Sequence, residues 1–257
     1  MTRRRLLVTA GAGVVGISVV TTVTGCSGDK PSTPSAAPPS APPSSARPSA
    51  AGPPASAEAA GESLGGWQRV NLSFVSAYIL VRGGEAAIVD LGTPGSGTAI
   101  EAGLTAAGAS WGAVRHVILT HRHQDHAGGA AEVAPKVTAG SLYTGAADVS
   151  AIRVPVKPVG DGDEIFGLRI IGTPGHTAGH IAVFDPSTGV LAAGDALRTT
   201  QGLAGPDPRN TADMTQAAAS VRKMAALDVR VILPGHGAPL TTGAAEALAK
   251  LAASQPG

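Results

Sequence analysis

A single cysteine, Cys26, stands in 257 residues. One thiol excludes an internal disulfide framework and a thiolate-built zinc site, and leaves imidazoles and carboxylates as the available metal ligands. Aromatic residues are scarce at 3%. An excess of either charge is missing too, since 19 Lys plus Arg face 18 Asp plus Glu. No global field gathers polyanions, which argues against a dedicated nucleic-acid-binding protein. Gly (35) and Pro (20) are plentiful and would indicate disorder if spread evenly. They are not, and with 43% hydrophobic residues the chain is long enough to bury one substantial core.

Residues 1–63 read as an address and a tether. Arg3, Arg4 and Arg5 precede an uncharged run from Leu6 to Gly25, the basic-then-apolar layout of an export signal. Four Gly and four Thr dilute that run, which favours passage through a translocon over stable residence in the membrane. Thr2-Arg3-Arg4-Arg5-Leu6-Leu7 resembles a twin-arginine signal, a Sec signal or uncleaved anchor being the alternatives. Val23-Thr24-Gly25-Cys26 resembles a bacterial lipobox. The expectation is a signal peptide over 1–25, lipidation of Cys26, and an exported protein held to the extracytoplasmic face of the cell membrane. From Ser27 to Ser63, Pro, Ser and Ala supply 9, 9 and 10 of 37 residues, with no Leu, Ile, Val or aromatic. Together with Cys26 this tract (26–63) is expected to be a disordered, solvated spacer. All seven His lie in 64–257, the expected catalytic domain.

Hydrophobic periodicity within 64–257 predicts strands at 77–82 and 86–90, joined by a Gly83-Gly84 turn, and further strands at 114–120, 168–172, 181–184, 190–193 and 230–233. An edge strand broken by Pro155 and Pro158 is expected at 154–159. Helices are expected at 99–107, from 127 to 133, at 213–227 and at 244–253. Four apolar strands run into a His or Asp: Val117-Ile118-Leu119-Thr120 into His121, Ile170-Ile171-Gly172-Thr173 into Pro174-Gly175-His176, Leu191-Ala192-Ala193-Gly194 into Asp195, and Val231-Ile232-Leu233-Pro234 into Gly235-His236. In an α/β layout the carboxyl ends of strands form the rim where sites sit.

Three His and one Asp occur within His121-Arg122-His123-Gln124-Asp125-His126. Such density is improbable as core packing, because each buried polar group needs a partner; a solvated loop is the competing reading. His121 and His123, two apart, face the same way in an extended stretch and can grip one ion. Asp125 and His126 follow where a helix starts and can face a second ion, with Gly128 and Gly129 allowing a tight bend. Catalytic zinc takes three protein groups and one open position. His176 can complete the first set and His236 the second, and Asp195 can bridge both. His180 is expected to hydrogen-bond the loop and Asp90 to orient a ligand imidazole from behind, or to cap a turn. His116 is expected to be exposed ahead of its strand. Tyr143, Arg198 and Arg209 are weaker candidates for substrate contact, and Trp67 and Trp111 for the core.

The ordered motifs His121-Arg122-His123-Gln124-Asp125-His126, Pro174-Gly175-His176-Thr177-Ala178-Gly179-His180, Gly194-Asp195 and Pro234-Gly235-His236-Gly237 resemble the metallo-beta-lactamase superfamily. The resemblance implies an αββα sandwich with a dinuclear site at one edge. It assigns His121, His123 and His176 to one metal, Asp125, His126 and His236 to the other, and Asp195 as bridge. Two zinc ions per chain are implied, with iron or manganese as alternatives. A bridging hydroxide would then cleave an ester, thioester, lactone or amide bond of a small molecule, with Asp125 orienting it and moving a proton. Asp195 places the chain nearer glyoxalase-II-like and lactonase-like members than true beta-lactamases, though beta-lactam hydrolysis stays open. The sequence runs only about twenty residues past His236, without the added helical domain that holds glutathione in glyoxalase II, so that thioester specificity is not expected. Two other classes remain: an iron-dependent sulfur dioxygenase-like oxidoreductase, and an envelope protein with a metal site but no turnover.

Overall fold

The computed structural model describes residues 64–256. The expected signal, Cys26 and the spacer lie outside them. Eleven strands form two sheets. The first has six in sequence order: β1 (Trp67–Leu72), β2 (Val75–Arg82), β3 (Glu85–Val89), β4 (Val114–Leu119), β5 (Ser141–Gly145) and β6 (Lys157–Val159). β1 to β3 pair antiparallel and β3 to β6 parallel. The second sheet runs β11-β10-β9-β8-β7, from β7 (Glu164–Ile165), β8 (Leu168–Gly172), β9 (Ile181–Asp185), β10 (Val190–Arg198) and β11 (Val231–His236). Its β10–β11 pair is parallel. Helices α1 (Gly97–Ala106), α2 (Gln124–Ala127) and α3 (Ala130–Val133) belong to the first half; α4 (Met214–Ala225) and α5 (Ala244–Ala253) belong to the second.

Three apolar cores separate four layers, the αββα sandwich expected from the motifs. The strands alternate between cores because successive side chains leave opposite faces. Ile79, Ile88, Val117 and Leu119 face α1 and its neighbours, whereas Leu80, Val89 and Ile118 face the second sheet. On that sheet Ile170, Val183 and Leu233 meet them, while Ile171, Ala182 and Ile232 pack under α4 and α5. Both faces being buried explains why these strands read as unbroken apolar runs. Tyr78 spans the inter-sheet layer, donating its buried hydroxyl to the Pro234 carbonyl at 2.8 Å. Burial pushes its phenol well above the ordinary value. Nearer the strand ends that carry His and Asp, Ile181 N donates to Thr120 O at 2.9 Å, tying β9 to the end of β4.

Several expectations need correction. His116 lies within β4, half-buried against the rings of Tyr143 and Phe166, because β4 begins earlier than its apolar run. The helix expected at 127–133 is two single turns, α2 and α3, with Gly128 and Gly129 between them in ordinary right-handed geometry. These glycines are needed for close approach, since a Cβ at Gly128 would stand 2.1 Å from Gln124 O. The edge strand at 154–159 is reduced to β6, three residues long, at the margin of the first sheet. β10 continues to Arg198, so Asp195 sits inside a strand, past a break in its pairing with β11. Trp67 is core; Trp111 is half-buried, with Lys136 over its ring. β1, β5 and β7 were not anticipated. Among the described residues no helix is long and apolar enough to cross a membrane.

Candidate metal centre

β4 delivers the chain into His121, and the backbone stays extended at His123 before turning into α2. That change of conformation splits the motif into two directions. His121 Nε2 lies 3.1 Å from His123 Nδ1, and His176 Nε2 lies 2.9 Å from the same atom. The second set gathers beside it. His126 Nε2 is 3.1 Å from Asp195 Oδ1 and 3.7 Å from Asp125 Oδ2. His236 Nε2 is 3.2 Å from Asp125 Oδ2 and 3.3 Å from Asp195 Oδ2. Asp195 Oδ2 is also 3.3 Å from His176 Nε2, so this carboxylate touches both sets. Within each set the candidate atoms lie within 4.8 Å of one another.

The donors fit a pair of cations. Tetrahedral ligands 2.0–2.1 Å from a shared zinc stand about 3.3–3.4 Å apart, close to the separations found. His126 Nε2 and Asp195 Oδ1 are buried and face each other at 3.1 Å without the alignment of a hydrogen bond, an arrangement that a cation held by both would satisfy. Four imidazoles are held from behind by their other nitrogen, through Thr120 Oγ1 (His121), Asp90 Oδ2 (His126), Thr211 Oγ1 (His176) and Phe74 O (His236). The Thr120 hydroxyl donates to Asp90, which leaves its lone pair for the His121 Nδ1 proton and frees Nε2.

The two sets differ electrostatically. Burial lowers His121, His123 and His176, the last to about 4, so these rings are neutral with lone pairs available. For His126 burial acts the same way, but the carboxylates of Asp195 and Asp90 overcome it and push the ring well above its ordinary value. Hydrogen bonds donated to Asp125 and Asp195 raise His236 to about 10. Burial opposes ionisation of Asp195, yet His126 and His236 hold it well below the usual carboxylate range. The carboxylate-rich half thus demands positive charge.

His180 stands outside both sets. Its Nε2 accepts from Asp195 N at 3.1 Å and its Nδ1 meets Thr173 Oγ1 at 2.8 Å. Burial lowers it to about 3, keeping it the neutral acceptor that fixes the Asp195 backbone. Asp90, with φ +62, curls back so that its carboxylate takes the backbone N–H and hydroxyl of Thr120 as well as His126. Asp148 was missed by the sequence reading. Fully buried, it accepts from Arg122 N, Arg122 Nη1, Thr177 Oγ1 and Gly179 N, joining the 121–126 and 174–180 loops. Nothing in Gly145-Ala146-Ala147-Asp148 announces it.

The candidate donor atoms open into a cleft of about 920 Å³, lined also by Phe74, Arg198 and Arg209. Phe74 is 60% exposed and stacks on His236. Tyr143 is elsewhere, beside His116 and Lys157.

This chain is 36% identical over 119 residues to a hydroxyacylglutathione hydrolase of Pseudomonas putida (strain W619), covering 43% of this chain and 42% of that one. A probable metallo-hydrolase of Bacillus subtilis (strain 168) is 42% identical over 83 residues, 28% of this chain and 31% of its relative. The match therefore spans less than half the length of these curated relatives. Among solved structures, a metallo-beta-lactamase family protein from Thermus thermophilus superposes with a TM-score of 0.57 at 25% identity, over 73% of this chain and 78% of the other. The metallo-beta-lactamase superfamily model matches residues 70–236. With that match over most of the described residues, an αββα sandwich and two adjoining donor sets, the chain belongs to the metallo-beta-lactamase superfamily.

Proposed function

We propose that the protein is a metallohydrolase that cleaves an ester, thioester, lactone or amide bond of a small molecule. The carrying observation is the pair of adjoining donor sets at the floor of an open cleft, with two buried polar atoms that a cation would satisfy together. His121, His123 and His176 would hold one ion, and Asp125, His126 and His236 the other, with Asp195 between. Zinc suits imidazole and carboxylate donors. When bound, the pair supplies an acidified water as nucleophile and positive charge for the developing oxyanion. Asp125, kept ionised chiefly by its hydrogen bond from His236, faces the cleft, where it would orient such a water and take its proton. Names of relatives support hydrolysis, and the coverage of those relatives leaves the substrate to experiment.

Metal analysis and a panel of esters, thioesters, lactones and beta-lactams on the purified protein test this reading. Two zinc per chain, with turnover lost on chelation and restored by zinc, is the expected result. Loaded protein that turns over nothing in the panel, or iron with oxygen consumption, overturns it. Residues 1–25 and Cys26 further support a proposal of export and lipid anchoring, which metabolic labelling of Cys26→Ser against the natural chain decides.

A further inference from the structure

His176 is held from behind by the cleft wall itself. Its Nδ1 lies 3.3 Å from Thr211 Oγ1, and Thr211 closes a turn whose Asp207, Arg209 and Asn210 line the cleft. The attachment also runs along the backbone, where Ala212 N donates to His176 O at 3.3 Å and Asp213 N to Gly175 O at 2.9 Å. The direction of the Thr211 proton decides what the ring can do. Thr211 Oγ1 donates to Asp207 O at 2.7 Å. A hydroxyl has a single proton to give, so towards His176 it offers a lone pair and accepts from a protonated Nδ1. The neutral ring then keeps its own lone pair on Nε2, the atom 2.9 Å from His123 Nδ1 and 3.3 Å from Asp195 Oδ2. A Thr211 that donated to the ring would leave the proton on Nε2, and the donor atom would be lost.

The Asp207 carbonyl is fixed by the turn it opens. Asn210 N donates to it as well, at 3.0 Å. The Asp207 side chain accepts from Arg209 N at 3.0 Å and holds the Arg209 guanidinium at 2.6 and 3.1 Å. Arg209 above all, and Arg198 more weakly, keep that carboxyl below its ordinary range. Both arginines of the cleft therefore act on one residue. A substrate that draws on either of them disturbs the turn that orients Thr211, and through Thr211 the ring of His176.

We infer that Thr211 is a positioning residue that couples the cleft wall to the ion of His121, His123 and His176, by holding His176 in the tautomer that can bind it. This rests on the metal reading above. Thr211→Val removes the hydroxyl at nearly constant size. It weakens one of the two zinc affinities about 10- to 100-fold, the scale for partners behind ligand histidines, and leaves the other unchanged, while Thr211→Ser restores the loss. Competition with a chromophoric chelator reads both affinities. Asp207→Ala, which loosens the turn and touches no candidate donor, lowers the same affinity in the natural chain and not in Thr211→Val. Unchanged zinc binding in Thr211→Val, a loss that Ser does not restore, or equal losses from Asp207→Ala in both backgrounds overturns the proposal. A chain that binds no zinc overturns the metal reading, and heteronuclear NMR of labelled histidines then decides. A proton on His176 Nδ1 that moves to Nε2 in Thr211→Val sustains the role of Thr211, and the same tautomer in both chains removes it.

Discussion

Asp90 Oδ2 receives the Nδ1 proton of His126 at 2.8 Å, inside a pocket closed to solvent. The same carboxylate takes the Thr120 hydroxyl, whose lone pair faces His121. One side chain therefore sets the ring orientation of an imidazole in each donor set. Asp90→Asn is expected to weaken metal binding about 10- to 100-fold, the scale seen for partners behind ligand histidines. Competition with a chromophoric chelator measures it, and unchanged affinity would show that Asp90 serves only the turn.

Asp148 makes a different prediction, about the union of two loops. Asp148→Ala leaves Thr177 Oγ1 and Gly179 N without their buried acceptor and Arg122 without its counter-ion. A loss of about 3 kcal/mol of stability is expected. Metal content should fall with it, because His123 and His176 sit on the loops it joins. Denaturant unfolding and metal analysis of one preparation check both, and a full metal complement at reduced stability would limit Asp148 to the fold.

Gly235 precedes the last candidate ligand in a crowded place. A Cβ there would stand 2.5 Å from both Asp195 Oδ1 and His126 Cε1. Gly235→Ala is expected to lower stability by about 1–3 kcal/mol through overpacking and to displace the Asp195 carboxylate. The observable is loss of an ion from chain that still folds, read by circular dichroism beside metal content.

His116 predicts an acid sensitivity remote from the centre. Burial lowers its folded value below 6.5, and its Nδ1 has no hydrogen-bond partner. The unfolded chain therefore takes up a proton that the folded chain resists, so this residue removes stability as pH falls below 6.5. His116→Phe should melt higher than the natural chain, by a margin that widens on acidification from pH 7 to 5. A constant margin would mean that the ring is as free to protonate folded as unfolded.

The sequence disclosed the donors because each comes after an apolar stretch buried on both faces, and Val117-Ile118-Leu119 or Ile170-Ile171 cannot be mistaken for surface. What it hid depends on distant partners. β1 mixes exposed Asn71 with buried Val70, and its place comes from the register Val70↔Ala77 rather than its own pattern. β5, five residues including Ser141 and Thr144, is a strand because β4 lies parallel beside it. Asp148 gains its meaning from donors 26 to 31 residues away. The placement of Arg198 in the cleft wall follows from a register break that no local pattern encodes.

The three stacked cores draw nothing from residues 199–213 except the partly buried Leu203, although this segment supplies much of the wall facing the ligands. Wall and foundation can thus diverge independently. Grafting a different 199–212 segment that keeps Thr211 behind His176 and leaves Asp213 to cap α4 is a route to new selectivity at little cost to the scaffold's melting behaviour.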